Sequence, residues 1–323
     1  MPYTARADRE FPIIDFGAHL VTDVPEFMEP LDDRIGPVHT DPEATIDRYK
    51  NAGIDRLVLS QPPFMGSTDV ERTRNANDDL MDIVEGDDDL YGLAALPVGA
   101  SGGEAADELE RCLDRGYNGG ALETMSNGTK LTDEEVRPVL EVADREGAPL
   151  LVHPKIDVSL HPEVDVLDDK YRLNAVFGRE AALSQSILEV VHMGILDDYP
   201  DLNLVFHHLG GNIASMMGRV HLHHILGRWP GQEHIESFDD FKQKLESRVF
   251  VDTSGFYGYH APIRTTLEEF PSSQVLFGTD APYEARDADE LSRFATTVLD
   301  VASDTDSEAV LSGNALRLLA NVD

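Results

Sequence analysis

Eight short apolar runs recur along this chain of 323 residues, most of them followed by a stretch with helical spacing, and that rhythm limits the folds open to it more than any other feature. The runs are FPIID at 11–15, DRLVLS at 55–60, LYGLAAL at 90–96, GGALE at 119–123, APLLVH at 148–153, LNLVFHH at 202–208, RVFVDT at 248–253 and QVLFGTD at 274–280. Between them lie amphipathic segments such as PEATIDRYKNAG, VERTRNANDDLMDIVEG, TDEEVRPVLEVADREG and ADELSRFATTVLDVA. Acidic or hydroxyl residues open several of these and Gly or Pro closes several, as helix boundaries require. No Ser/Gly-rich linker breaks the alternation, so the expected fold is α/β, a single distorted (β/α)8 barrel over 1–323. An open doubly wound sheet is the competing topology, but it would carry a Gly-rich first turn and FGAHL is not one. Two stretches fall outside the rhythm, 156–175 after the fifth strand and 227–237 after the sixth helix. Both are candidate lids or interface pieces.

Charge narrows the partners. The chain carries 61 Asp and Glu against 26 Lys and Arg, a formal net charge of −35, with six lysines in all. A field of this sign repels phosphate, which excludes nucleic acid and anionic membranes as partners. The acids are spread over DDDL at 87–90, DELE at 107–110, TDEE at 132–135 and DADE at 287–290, read as solvated helix ends and turns. An acid-coated, halophilic surface suits a salty cytoplasm, where the Debye length falls to about 3 Å and self-repulsion is screened. The single cysteine, Cys112, permits no internal disulfide and reads as a small core residue. No run reaches the ~18 apolar residues of a membrane span, and MPYTARADRE lacks a signal-peptide core, so a cytoplasmic protein is expected.

Polar groups gather at the C-terminal ends of the candidate strands, which a barrel brings to one place. His19 ends the first, Glu123 the fourth, His153 the fifth, His207 and His208 the sixth, Asp252 the seventh and Asp280 the eighth. Imidazoles with a carboxylate suit a divalent transition metal, and an open coordination position lets such a metal activate water. In IIDFGAHL at 13–20, strict alternation puts Asp15, Gly17 and His19 on one face and Ile14, Phe16 and Ala18 on the other. It also lets only one of His207 and His208 point inward. A second histidine group, His221, His223, His224 and His234, reads as helix and interface residues. Gly210-Gly211 opens a helix and reads as a close-packing site. Neither phosphate-binding glycines nor a G-x-S-x-G nucleophile turn is present.

These segments make the chain resemble the amidohydrolase superfamily, in the branch of aminocarboxymuconate semialdehyde decarboxylase and related aromatic-acid decarboxylases. The resemblance rests on APLLVHP at 148–154, GILDDYPDLNLVFHHLGG at 194–211, VDTSGF at 251–256 and LFGTDAPY at 276–283. It implies a metal held by His19, His153 and Asp280, zinc first and manganese second, with His208 of the HxGG motif and Asp280 as catalytic groups and His207 packed behind the barrel. Arg219, eleven residues past His208, would meet a substrate carboxylate, with Glu123, Asp252 and Tyr283 lining the pocket. The branch begins with D-x-H-x-H, and here Gly17 stands at the first of those histidines. Three readings follow: His19, His153 and Asp280 hold the metal with extra waters; Asp15 or Glu123 fills the vacant place; or metal and activity are lost. The expected activity is hydrolysis of a small, carboxylate-bearing substrate by an activated water, in a homodimer. Nonoxidative decarboxylation of a small aromatic or unsaturated acid is the alternative, and an inactive barrel the second.

Overall fold

The computed structural model describes residues 10–26, 40–154 and 171–320. Its strands are β1 (Ile14–His19), β2 (Arg56–Ser60), β3 (Leu90–Gly92), β4 (Ala94–Ala95), β5 (Gly120–Glu123), β6 (Pro149–His153), β7 (Asn203–Phe206), β8 (Val249–Asp252) and β9 (Val275–Leu276). The third apolar run is thus split at Leu93, whose amide still bonds Leu59 O of β2 at 2.9 Å, so β3 and β4 act as one barrel stave. Every neighbouring pair from β1 to β3 and from β4 to β9 is parallel. The circle closes between β1 and the chain after β9, through Phe16 N to Phe277 O at 2.8 Å and Asp280 N to Gly17 O at 3.0 Å. This is the expected eight-staved (β/α)8 barrel.

Around it run α1 (Pro42–Ala52), α2 (Val70–Val84), α3 (Gly102–Asp114), α4 (Arg137–Glu146), α5 (Arg179–His192), α6 (Ile213–Leu226), α7 (Phe238–Arg248), α8 (His260–Glu269) and α9 (Ala288–Val301). Part of the acid load is capping: Asp41, Asp69 and Asp287 accept first-turn amides of α1, α2 and α9. Helix α7 is not among the expected segments, although Ser237 caps it and Phe241 and Leu245 bury its inner face. Another unforeseen element is the hairpin Met125–Ser126 with Thr129–Lys130, turned by Asn127 and Gly128 at positive φ.

Two apolar layers result. One or two residues per stave fill the barrel: Ile14 and Phe16, then Val58, Leu93 with Ala95, Ala121, Leu151, Val205, Phe250 and Leu276. The alternate residues, among them Leu59, Leu122, Val152, Phe206 and Val251, pack outward against the helices. Strict alternation fails in β1, because the register slips by one residue between Asp15 and Ala18. Ile14 and Phe16 face the interior, whereas Ala18 belongs to the outer layer. The bulge thereby turns His19 back inward.

The acidic segments are not all solvated. Glu108 of DELE is fully buried, accepting hydrogen bonds from Asn77 Nδ2 at 2.7 Å, Arg111 Nε at 2.8 Å and Cys112 Sγ at 3.3 Å. Arg111, Arg74 with Nε at 3.3 Å, and the Asn77 amide compensate the charge, which makes its burial tolerable. Cys112 is a buried core residue, as expected, and burial beside Glu108 pushes its thiol far up.

Of the two segments outside the rhythm, 156–170 falls outside the described residues, which resume at Tyr171. The second, 227–237, joins two helices and is not a strand-end loop. Glu236 N lies 3.5 Å from His192 Nδ1, at the far end of α5 from the barrel mouth. Among the described residues no helix is long and apolar enough to cross a membrane.

Candidate metal centre

The inward-facing layer ends at the mouth of the barrel in polar groups, each two residues past an apolar member. Leu151 is followed by His153, Val205 by His207, Phe250 by Asp252 and Ala121 by Glu123. His19, His153, His207 and Asp280 are all buried and each presents one donor atom, the four atoms lying within 4.8 Å of one another. Three imidazoles and a carboxylate form a donor set suited to a divalent transition metal.

Each imidazole is aimed by a second partner. His153 Nδ1 donates to Pro154 O at 2.6 Å, which leaves Nε2 as the lone-pair nitrogen. Burial and the neighbouring His207 and His19 hold His153 well below the usual histidine range, so it is neutral and ready to bind. Nδ1 of His19 lies 2.9 Å from Ser60 Oγ and Nε2 lies 3.0 Å from Asp280 Oδ1. Burial lowers this imidazole as well. His207 Nδ1 donates to Asp252 Oδ2 at 2.5 Å, while Nε2 is buried with no hydrogen-bond partner, 3.8 Å from Asp280 Oδ1. Burial disfavours its charge, but Asp252 and Asp280 raise it to about 9. An orphaned, buried ring nitrogen among three other donors is what a metal would satisfy.

The two adjacent histidines depart from the expectation. His207, expected behind the barrel, is the one that alternation from Val205 carries inward, and Phe206 is the residue that faces out. His208 enters the site as well, because β7 ends at Phe206 and the backbone turns through positive φ at His208 and Leu209. Alternation does not apply beyond the strand. Gly255 makes room for the ring, since a Cβ there would fall 2.4 Å from His208 Cγ. His208 Nδ1 lies 2.9 Å from Glu180 Oε1 and Nε2 lies 3.4 Å from Asp280 Oδ2. Burial opposes a charge on this ring, yet Glu180 and Asp280 together raise it well above the ordinary range. Burial likewise opposes ionisation of Asp280, and the hydrogen bond to His19 with the neighbouring imidazoles of His207 and His208 keeps it well below the usual carboxylate range.

The other expected positions divide. Asp252 does not line the pocket; it is fully buried and orients His207, while its Oδ1 accepts from Ser254 N at 3.1 Å. Glu123 pairs in register with His153 across β5 and β6 and is buried beside it, but stands outside the four-donor group. Asp15, the other substitute considered for position 17, faces away from the donors. It accepts from Thr279 Oγ1 at 2.5 Å and Gly17 N at 3.0 Å, and burial raises it to about 7. Tyr283 lies beside His19, with ring centroids 5.6 Å apart and the rings tilted by 54°. Arg219 is exposed on α6, in a groove of about 700 Å³ lined also by Phe177, Leu188 and Met216. His221, His223 and His224 pack on Phe238, Trp229 and the His192–Phe241 pair, and His234 lies beside Glu233. Gly210 and Gly211 are close-packed, against Ile187 and the Glu180 carbonyl.

Two groups were not expected at all. Glu180 reaches the site from the first turn of α5, and Glu284, half-buried, is raised to about 7 by burial and the nearby Asp280. Nothing in the spacing of residues around 180 marks that carboxylate; only the run DAPYE at 280–284 places Glu284 near a strand end.

The profile of the amidohydrolase family matches residues 14–320. A 2-amino-3-carboxymuconate-6-semialdehyde decarboxylase of Dictyostelium discoideum is 26% identical over 190 residues, which cover 56% of this chain and 51% of that protein. A gamma-resorcylate decarboxylase of Rhodococcus jostii is 26% identical over 247 residues, 71% of this chain and 72% of the relative. Among solved structures, the dihydroxybenzoic acid decarboxylase of Polaromonas sp. JS666, with bound manganese and the inhibitor 2-nitroresorcinol, superposes with a TM-score of 0.80 at 20% identity, covering 96% of this chain and 97% of that one. That likeness is one of fold.

Proposed function

We propose that this chain, which belongs to the amidohydrolase family, is a metal-dependent carboxy-lyase that removes carbon dioxide from a small aromatic or unsaturated acid. The named relatives above are decarboxylases, which favours the lyase over the hydrolysis expected from the sequence. The observation that carries the reading is the setting of His208. Nδ1 is hydrogen-bonded to Glu180 at 2.9 Å and Nε2, which has no hydrogen-bond partner, lies 3.4 Å from Asp280, two carboxylates that favour the imidazolium with its Nε2 proton uncommitted. The site therefore offers a proton donor, as loss of carbon dioxide with protonation of the substrate carbon requires.

In this reading His19, His153, His207 and Asp280 hold a divalent ion, zinc or manganese. The ion supplies Lewis-acid polarisation of substrate oxygens. Nε2 of His208 gives its proton to the carbon that bears the carboxylate; the bond from that carbon to the carboxylate breaks, its electron pair returns to the unsaturated system, and carbon dioxide leaves. Glu180 is a positioning residue that holds the imidazolium. Glu123 and Tyr283 flank the space where substrate would lie, and Arg219 has no part in it within one chain. The protein is a homodimer in this reading, supported by the exposed Phe177, just before α5, and Met216 and Ile225 on α6.

The test is release of labelled carbon dioxide from carboxyl-labelled hydroxybenzoates and unsaturated acids by protein loaded with Zn²⁺ or Mn²⁺, alongside a panel of amides and lactones. Carbon dioxide release, with one solvent deuterium entering the product carbon in D2O, is expected. Hydrolysis without carbon dioxide would overturn the lyase reading.

A further inference from the structure

We propose that the vacancy at Gly17 is one half of a ligand exchange across the barrel: position 17 is glycine so that the imidazole of His207 can occupy the ligand place a side chain there would have supplied. This rests on the metal reading of the four-donor group. A Cβ on Gly17 would lie 2.7 Å from His207 Cε1, 3.3 Å from Asp252 Oδ2 and 3.3 Å from Gly278 Cα. Contacts below 3.0 Å are not sustained, and here the obstructed atom belongs to a ring pinned at its other nitrogen by Asp252 at 2.5 Å. Even alanine at 17 and His207 in its present place exclude one another.

The exchange keeps the donor count. His207 stands 5.5 Å from His19 and 5.1 Å from His153 between ring centroids, with its orphaned Nε2 facing Asp280. Neither Asp15 nor Glu123 belongs to the group. The site is thus not a family site with one ligand missing but one whose ligand has moved from the first strand to the end of the sixth stave. The move also brings a buried carboxylate behind the new ligand, and an imidazole hydrogen-bonded to Asp252 is a stronger donor to a metal. With His207 committed in this way, His208 is left as the proton carrier.

A double-mutant cycle tests the coupling, read as metal affinity in buffered Zn²⁺ and as the visible spectrum of the Co²⁺-loaded protein. His207→Ala is expected to weaken metal at least 100-fold, and Gly17→Ala, which deletes no donor, 10- to 100-fold by displacing the ring. The decisive arm is Gly17→Ala in the His207→Ala background, where it is expected to cost nothing further. Gly17→His combined with His207→Ala is expected to recover at least 10-fold over His207→Ala alone and to restore the four-donor Co²⁺ spectrum. Unaltered affinity in His207→Ala, or penalties at 17 and 207 that simply add, would overturn the exchange while leaving the metal reading intact. A wild-type protein that binds neither ion would instead overturn the metal reading itself. Should His207→Ala fail to fold, His207→Gln and the Gly17→Ala spectrum carry the same comparison.

Discussion

Glu180→Gln isolates the step on which the proposed chemistry turns. The substitution keeps the size of the side chain and an oxygen for His208 Nδ1 at about the same place, but it removes a negative charge 2.9 Å from the ring. A carboxylate at such a distance in a buried setting raises a histidine by about 1–3 pH units, equivalent to about 1.4–4 kcal/mol in favour of the imidazolium. Activity that requires protonated His208 is present below its pKa and lost as pH rises through it. Lowering that pKa therefore moves the descending limb of the pH–rate profile to lower pH, by about 1–3 units. Asp280 still faces Nε2 at 3.4 Å, so part of the elevation survives. The assay is initial-rate carbon dioxide release by the metal-loaded protein from pH 5.5 to 9.5, with metal content measured on the same samples. Because Glu180 lies outside the donor group, metal content stays at the wild-type level. A limb that stays in place with an unchanged kcat refutes the assignment of His208 as the acid held by Glu180; a fall in activity that tracks metal loss refutes it as well.

His153→Ala should abolish metal uptake, whereas His208→Ala should keep the metal and lose turnover; equal metal loss in both, measured by elemental analysis, would contradict the division of roles. Asp15 is raised to about 7, so between its unfolded pKa near 4 and that value the unfolded state releases a proton that the folded state retains, and stability falls as pH rises by up to ~1.4 kcal/mol per unit for this group. Asp15→Asn should flatten that decline in urea unfolding from pH 5 to 7, and parallel curves for the two proteins would refute it. With a formal net charge of −35, raising KCl from 0.1 to 2 M should lift the thermal midpoint by several degrees as the Debye length drops from about 10 to below 3 Å; a midpoint that falls or stays level would show that self-repulsion does not limit this fold.

The sequence made the barrel and three of the four donors legible for a simple reason. Apolar runs of strand length end in His19, His153 and Asp280, and the barrel topology alone brings strand ends together. What it hid were departures from strict periodicity. The bulge between Asp15 and Ala18 turns His19 inward, and Gly17 is its one mark in IIDFGAHL. His207 and His208 both enter because one completes the strand's alternation and the other lies past its end, in backbone at positive φ. Choosing between them by a motif placed the wrong one outside. Glu180 is harder still: it is 28 residues from its partner, on a helix, and only the packing of α5 against the end of β7 brings it there. The Ser237 cap and the spacing of Phe238, Phe241 and Leu245 did mark α7, and Asn127-Gly128 marked the hairpin, so these were readable with closer attention to turn chemistry.

The hydrogen bonds that shut the barrel run from Phe16 and Gly17 to Phe277 and Asp280, so two of the four donors, His19 and Asp280, stand on the seam between the first and last staves. His19 and Asp280 are 261 residues apart. Contacts of such span form late, after the entropy of closing the intervening chain has been met. During synthesis the three histidines emerge long before the aspartate, and a chain released short of residue 275 would lack both the final stave and the carboxylate. Maturation of the centre is therefore an endpoint reporter for completion of the barrel, and metal uptake followed during refolding should be the last signal to appear.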